Sequence, residues 1–161
     1  CEVSGRDVQN WISVVWVDKG TQDGLRPDEP VLAESGKSSE QGAVQWGVVG
    51  RVLECGAGAS KVLLIADPLS SVAVVIPRSG TQGLMTGQGS LYLIVEYLDP
   101  GADIQVGDEV VTSGLGGIFP PGLPVGRLTR LISAQSGFKK GELKPAVSLS
   151  ELREVLVISN Q

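Results

Sequence analysis

The segment IQVGDEVVTSGLGGIFPPGLPVGR at residues 104–127 is foreshadowed at residues 25–51, where LRPDEPVLAESG is followed later by VVGR. Aligning Leu25 with Ile104 sets Val31 and Leu32 against Val110 and Val111. After small gaps Gly36 meets Gly114, and Gly50 and Arg51 meet Gly126 and Arg127. Upstream the match continues more weakly: ISVVWV precedes Asp18, Lys19 and Gly20 as LYLIVEYL precedes Asp99, Pro100 and Gly101. The offset is close to half the chain. Two related units are therefore encoded, and any fold of this chain must contain one strand-and-turn pattern twice.

Short apolar runs rich in branched residues fall at 12–17, 44–53, 62–65, 72–76, 91–98, 109–112, 125–132 and 155–158. Gly, Pro, Asp and Ser separate them, the punctuation of strands. No window holds a helical period for three turns; the nearest is SLSELREVLV from Ser148, where one short helical turn is expected. The 22 Gly and nine Pro sit between the runs as turn residues rather than in a tract. A chain of this length buries roughly 70% of its unfolded surface and needs no metal or disulfide to hold a core. With only 4% aromatic residues, that core must be Val, Leu and Ile, the stock that fills small barrels. The expected fold is all-β, two small β-barrels related by internal duplication. The repeated V-G-R suggests a strand position where Gly50 and Gly126 permit a bulge or barrel bend with the arginine outward.

Residues 72–132 hold about five candidate strands with short connections, enough to close a small barrel. Residues 1–66 hold about four, so strands near 143–149 and 155–158 are expected to return and complete the first unit. The division that follows is 1–70 together with 133–161 as the first barrel, and 71–132 inserted as the second. A plain tandem, about 1–80 and 81–161, is the alternative.

The chain contains no His, which removes Ser-His-Asp and Cys-His catalysis, since both need an imidazole to take and return a proton near neutral pH. With two Cys and no His, a structural zinc site is closed as well. Cys55 reads as a small buried hydrophobe, and whether it pairs with Cys1 is left open. A Ser-Lys dyad at Ser60 and Lys61 meets the objection that neighbours on a strand point to opposite faces. Asp23, Asp28, Glu29, Asp103, Asp108 and Glu109 sit beside turn residues, where they are read as satisfying backbone donors. The glycines of GAGASK at 56–61 lack phosphate-loop spacing and lead into a strand, so they read as a hairpin turn. No cofactor is expected. A net charge of −5 with no run of Lys or Arg argues against nucleic acid and anionic membrane surfaces. No apolar span of membrane length is present.

The glycines of SGLGG lead into Ile118, Phe119, Pro120 and Pro121. Phe119 either plugs an open barrel end or belongs to an apolar loop presented to a partner. Consecutive apolar residues between glycines are hard to bury together, and prolines lower the ordering cost of binding. These four are the candidate partner-binding residues. Trp46 is the second choice, placed by strand alternation with Val44 and Val48, and against it stands the same barrel-end reading.

The segments GRDVQNWISVVWVDKGTQDGLRP, GVVGRVLE, KVLLIADPLSSVAVVIPRSGTQGLMTG and GDEVVTSGLGGIFPPGLPVGR closely resemble the extracytoplasmic region of the MreC family of bacterial rod shape-determining proteins. The resemblance runs from residue 5 to residue 158, and its most specific parts are 18–25 and 112–127. It implies two small β-barrels side by side, a double barrel reminiscent of chymotrypsin-like proteases without their catalytic groups, with no enzymatic activity and no cofactor. It implies a scaffold that binds a class B penicillin-binding protein, the membrane partner MreD, the wall polymerase complex and its own copies. The place implied is the periplasmic or extracytoplasmic face of the inner membrane. Anchoring and dimerisation would come from a transmembrane helix and a coiled coil that this sequence lacks. The alternatives are a degenerate or Ser-Lys double-barrel hydrolase, and a peptidoglycan-binding module. The latter is poorly supplied with the rings on which sugars stack, with three Trp and two Tyr.

Overall fold

The computed structural model describes residues 1–9, 11–35, 45–133 and 137–159. In chain order the strands are β1 (Val3–Arg6), β2 (Val14–Val17), β3 (Pro30–Glu34), β4 (Trp46–Cys55), β5 (Ser60–Leu64), β6 (Ser71–Ile76), β7 (Thr81–Gly87), β8 (Leu93–Leu98), β9 (Glu109–Thr112), β10 (Pro124–Ser133), β11 (Lys139–Pro145) and β12 (Leu156–Val157). The only helical turns among the described residues are of the 3-10 type, at Thr21–Asp23 and at Leu149–Glu151. The second lies where one helical turn was expected.

Strands β6 to β11 close into a barrel in the order β10-β11-β8-β7-β6-β9. The others form a six-stranded sheet, β1-β2-β5-β4-β3-β12. Its two edges are joined near the end of the chain. Leu156 and Val157 pair with Leu32 and Val31 on one side. Just before them, Glu154 bridges to Glu2, the Val3 N–H donates to the Arg153 carbonyl at 2.8 Å, and the Val155 N–H donates to the Cys1 carbonyl at 2.9 Å. One unit thus closes through full ladders and the other through a short seam.

The strand near Leu143 corrects the expected return to the first unit. Leu143 pairs with Leu128 of β10 and with Leu93 of β8, so β11 is the sixth strand of the closed barrel. Only five residues separate β10 from β11 in the sequence, and a local closure costs less chain entropy than a return across the molecule.

The duplication is visible bond by bond. Val31 stands opposite Gly50, and Val110 opposite Gly126, with a register irregularity beside each pair. The Asp28 N–H donates to the Val52 carbonyl at 2.7 Å, as the Gly107 N–H does to Leu128 at 2.8 Å. Val52 and Leu128 then donate to the Glu29 and Asp108 carbonyls, each at 2.9 Å. Asp28 and Gly107 share a left-handed backbone, φ 68° and 94°. Only the second copy uses the residue that adopts it without steric cost.

The core is aliphatic. Val15, Val48, Val62, Leu64, Val95 and Leu143 are among its fully buried members, each contributing about 1.5–3 kcal/mol. Every Trp and Tyr is exposed. Both cysteines are free thiols. The two units meet at β4, where a Cβ on Gly47 would stand 2.9 Å from side-chain carbons of Ala146 and Val147. A bare backbone at Gly47 lets the segment leaving β11 lie directly on the strand.

Candidate partner-binding surface

The long loop between β9 and β10 is built on Thr112. Its hydroxyl donates to the Pro120 carbonyl at 2.6 Å and accepts from the Leu123 N–H at 2.9 Å. Its backbone N–H donates to Leu123 at 2.9 Å, and its carbonyl accepts from Gly122 at 2.8 Å. Gly114, at φ 86°, packs against Pro121, where a Cβ would stand 3.1 Å from the ring. The loop is therefore preformed. Phe119 points inward, 8% exposed, and joins the core. Ile118 is half-buried against that core and Pro120 is half-buried, so of the four expected contact residues only Pro121 is exposed. Leu115 at the tip is 61% exposed and was not singled out by sequence. Its signal was its place between Gly114 and Gly116, which leaves an apolar side chain nothing local to pack on.

Trp46 lies on the other unit, 37% exposed. The alternation that grouped it with Val48 fails, because Val48 is fully buried. Residues 47–50 are all buried, since the ladder shifts between Val31 and Leu32 and the segment after β11 covers the outer face. Val44, the third member of that grouping, lies outside the described residues. Trp46 opens instead onto a groove of about 900 Å³, shared with β3, residues 147–148 and residues 151–156. No residue of the β9–β10 loop lines this groove, so the two candidate patches are separate.

Three of the six carboxylates read as turn residues accept from backbone donors. Asp23 accepts from the Gly20 N–H at 3.0 Å, Glu29 from Arg26, and Asp108 from Gln105 at 2.9 Å. Asp28 departs from that expectation and pairs with Arg51 at 2.7 Å. Sequence reading also missed Arg78 of the β6–β7 turn. Its Nε and Nη2 meet the two Asp108 oxygens at 2.7 and 3.0 Å, and its Nη1 meets Asp103 at 2.9 Å. This fork holds both carboxyls below the usual carboxylate range, and for buried Asp108 the hydrogen bond outweighs the opposing effect of burial. Ser60 and Lys61 are not brought together: Ser60 is fully buried, while the Lys61 ammonium stands 5.9 Å over the ring of Trp16.

Residues 3–159 match the family model described as rod shape-determining protein MreC, barrel core. The chain belongs to the MreC family. The cell shape-determining protein MreC of Escherichia coli strain K12 is 32% identical over 146 residues, which cover 89% of this chain and 37% of that one. The MreC of Caulobacter vibrioides is 40% identical over 109 residues, 68% of this chain and 28% of its own. The chain thus spans well under half the length of these MreC relatives. Among solved structures, MreC from Pseudomonas aeruginosa superposes with a TM-score of 0.84 at 31% identity, covering 98% of this chain and 96% of that one. MreC in the complex between penicillin-binding protein PBP2 and MreC from Helicobacter pylori superposes with a TM-score of 0.69, covering 98% and 95%, and at 21% identity this likeness carries the fold alone. The MreC resemblance and the all-β double-barrel fold expected from sequence are both met. Among the described residues, no helix is long and apolar enough to cross a membrane.

Proposed function

We propose that this chain is a non-enzymatic scaffold of the cell-elongation machinery, which helps set rod shape by holding peptidoglycan synthases. The observation that carries the reading is the family match over residues 3–159. A class B penicillin-binding protein is the first partner proposed, in line with the complex formed by the Helicobacter pylori relative. MreD, the wall polymerase complex and further copies of the chain belong to the same proposal, as does the periplasmic or extracytoplasmic face of the inner membrane. The contact residues assigned are Leu115 and Pro121, exposed on a loop whose backbone is already fixed by Thr112. A preformed loop loses little conformational freedom on docking.

A pull-down with the cognate class B penicillin-binding protein tests the reading, comparing the wild type with Leu115→Ser and Pro121→Ser. Capture of the penicillin-binding protein is expected, with weaker capture by the Leu115 variant. Full capture by both folded variants would remove the loop from the interface, and no capture by the wild type would sink the partner assignment. A covalent serine probe tests the absence of catalysis, because labelling of any Ser would revive the hydrolase.

A further inference from the structure

The groove beside Trp46 exists because one ladder splits. Strand β12 pairs with β3 over Val31 and Leu32 only. Residues 153–155 then turn to the opposite edge and bond to residues 1–3, leaving the rest of β3 behind. On its inner side β3 stays paired, Ala33 with Gly47 and Glu34 with Trp46, and the Ser35 N–H donates to the Gln45 carbonyl at 2.8 Å. On its outer side, no strand among the described residues pairs with Ala33 or Glu34. Backbone groups alternate sides along a strand. The Pro30 carbonyl accepts from Ile158 on the outer side, so four residues on the Glu34 amide and carbonyl face the groove. A strand edge left unpaired among the described residues is a template for another chain.

The walls specify what that chain carries. Trp46 and Leu156, 37% and 47% exposed, offer apolar surface, and buried Val147 and Leu152 make the floor. Glu2, Glu34, Glu151 and Glu154 line the groove, and none forms an ion pair among the described residues. Asp18 is engaged by the Glu2 N–H at 2.9 Å, and Lys19 and Arg153 supply the opposing charge. Acidic residues outnumber basic ones around an apolar strip, a potential that favours a cationic partner and disfavours an acidic one.

We propose that this groove receives an extended segment of a partner protein, in which Lys or Arg alternates with apolar residues, as an added strand on the free edge of β3. Main-chain bonds to Glu34 supply affinity, while Trp46, Leu156 and the four glutamates select the side chains. The proposal deepens the scaffold reading and rests on it only in taking the occupant to be a protein.

The test is selection of random displayed peptides on the 161-residue chain. Enriched peptides are expected to alternate basic and apolar residues, to bind less well as salt rises, and to slow hydrogen exchange at the Glu34 amide. The exposed-site variants Glu34→Lys with Glu154→Lys, and Trp46→Ala, each checked for unchanged melting, should lose at least about tenfold in affinity for the selected peptide. Failure to enrich any peptide, enrichment without a basic bias, undiminished binding by the variants, or an unprotected Glu34 amide would overturn it. Self-association that disappears in the charge-reversed variant would give the groove to a second copy and overturn it too. The selection contains no penicillin-binding protein and the pull-down contains no peptide, so either reading can fail without the other.

Discussion

Gly50 and Gly126 stand at the same place in the two units, each with the carbonyl oxygen of an adjacent strand where a side chain would begin. A Cβ on Gly126 would collide with the carbonyl of Lys144, and one on Gly50 with the carbonyl of Leu63. Neither glycine has a positive φ, so the constraint is close approach of backbone and not an unusual conformation. Any side chain must push two hydrogen-bonded strands apart. Gly126→Ala and Gly50→Ala should each cost about 3 kcal/mol, and Gly126→Val more, measured by urea unfolding. An unchanged midpoint would show that the strands separate freely.

Phe119 and Leu115 should divide stability from recognition. Phe119→Ala removes a buried ring and is expected to cost about 3–5 kcal/mol. Leu115→Ser touches a solvated tip and should stay within about 0.5 kcal/mol. Equal losses in thermal unfolding would mean that the tip is packed.

The Arg78 fork should show in the acid limb of stability. Because the folded Asp108 and Asp103 pKa values are depressed, their contribution is fully present above the ordinary carboxylate value of about 4 and is lost as pH falls through the folded values. Arg78→Gln should therefore melt below the wild type at pH 7, and the gap should close under acid. A gap that stays constant down to strong acid would refute this.

The Ser60 hydroxyl is buried and has no hydrogen-bond partner among the described residues. An unsatisfied buried hydroxyl costs about 1–3 kcal/mol. Ser60→Ala should accordingly be neutral or raise the melting temperature. A clear loss of stability would mean that the hydroxyl is bonded in solution.

The duplication was legible because its marker residues are forced by geometry. Gly50 and Gly126 leave no room for a Cβ beside the neighbouring carbonyl, and carboxylates such as Glu29 and Asp108 recur because both turns offer the same backbone donor three residues back. Strand β11 was harder to place, since KKGELKP has one apolar residue facing the core and little strand propensity of its own. It is held by pairing on both sides, with β10 and β8. The pairing of Arg78 with Asp108 joins turns 30 residues apart, and no local pattern announces it. Phe119 and Trp46 were ranked by residue type, whereas their exposure is decided by where a barrel end closes and where a ladder slips.

The chain order of the strands also sets a timetable for synthesis. The closed barrel is contiguous, β6 to β11, and can fold as soon as it emerges. The first unit cannot. Its seam joins Glu2 to Glu154, so β1 to β5 must wait as an open sheet while the whole second barrel is translated. At ribosomal rates of about 5–20 residues per second, the roughly 90 residues between Leu64 and the seam mean a delay of about 5–20 seconds. For that interval both edges of a Val-rich sheet are open to other nascent chains, and a chaperone that shields them is the protection this topology calls for.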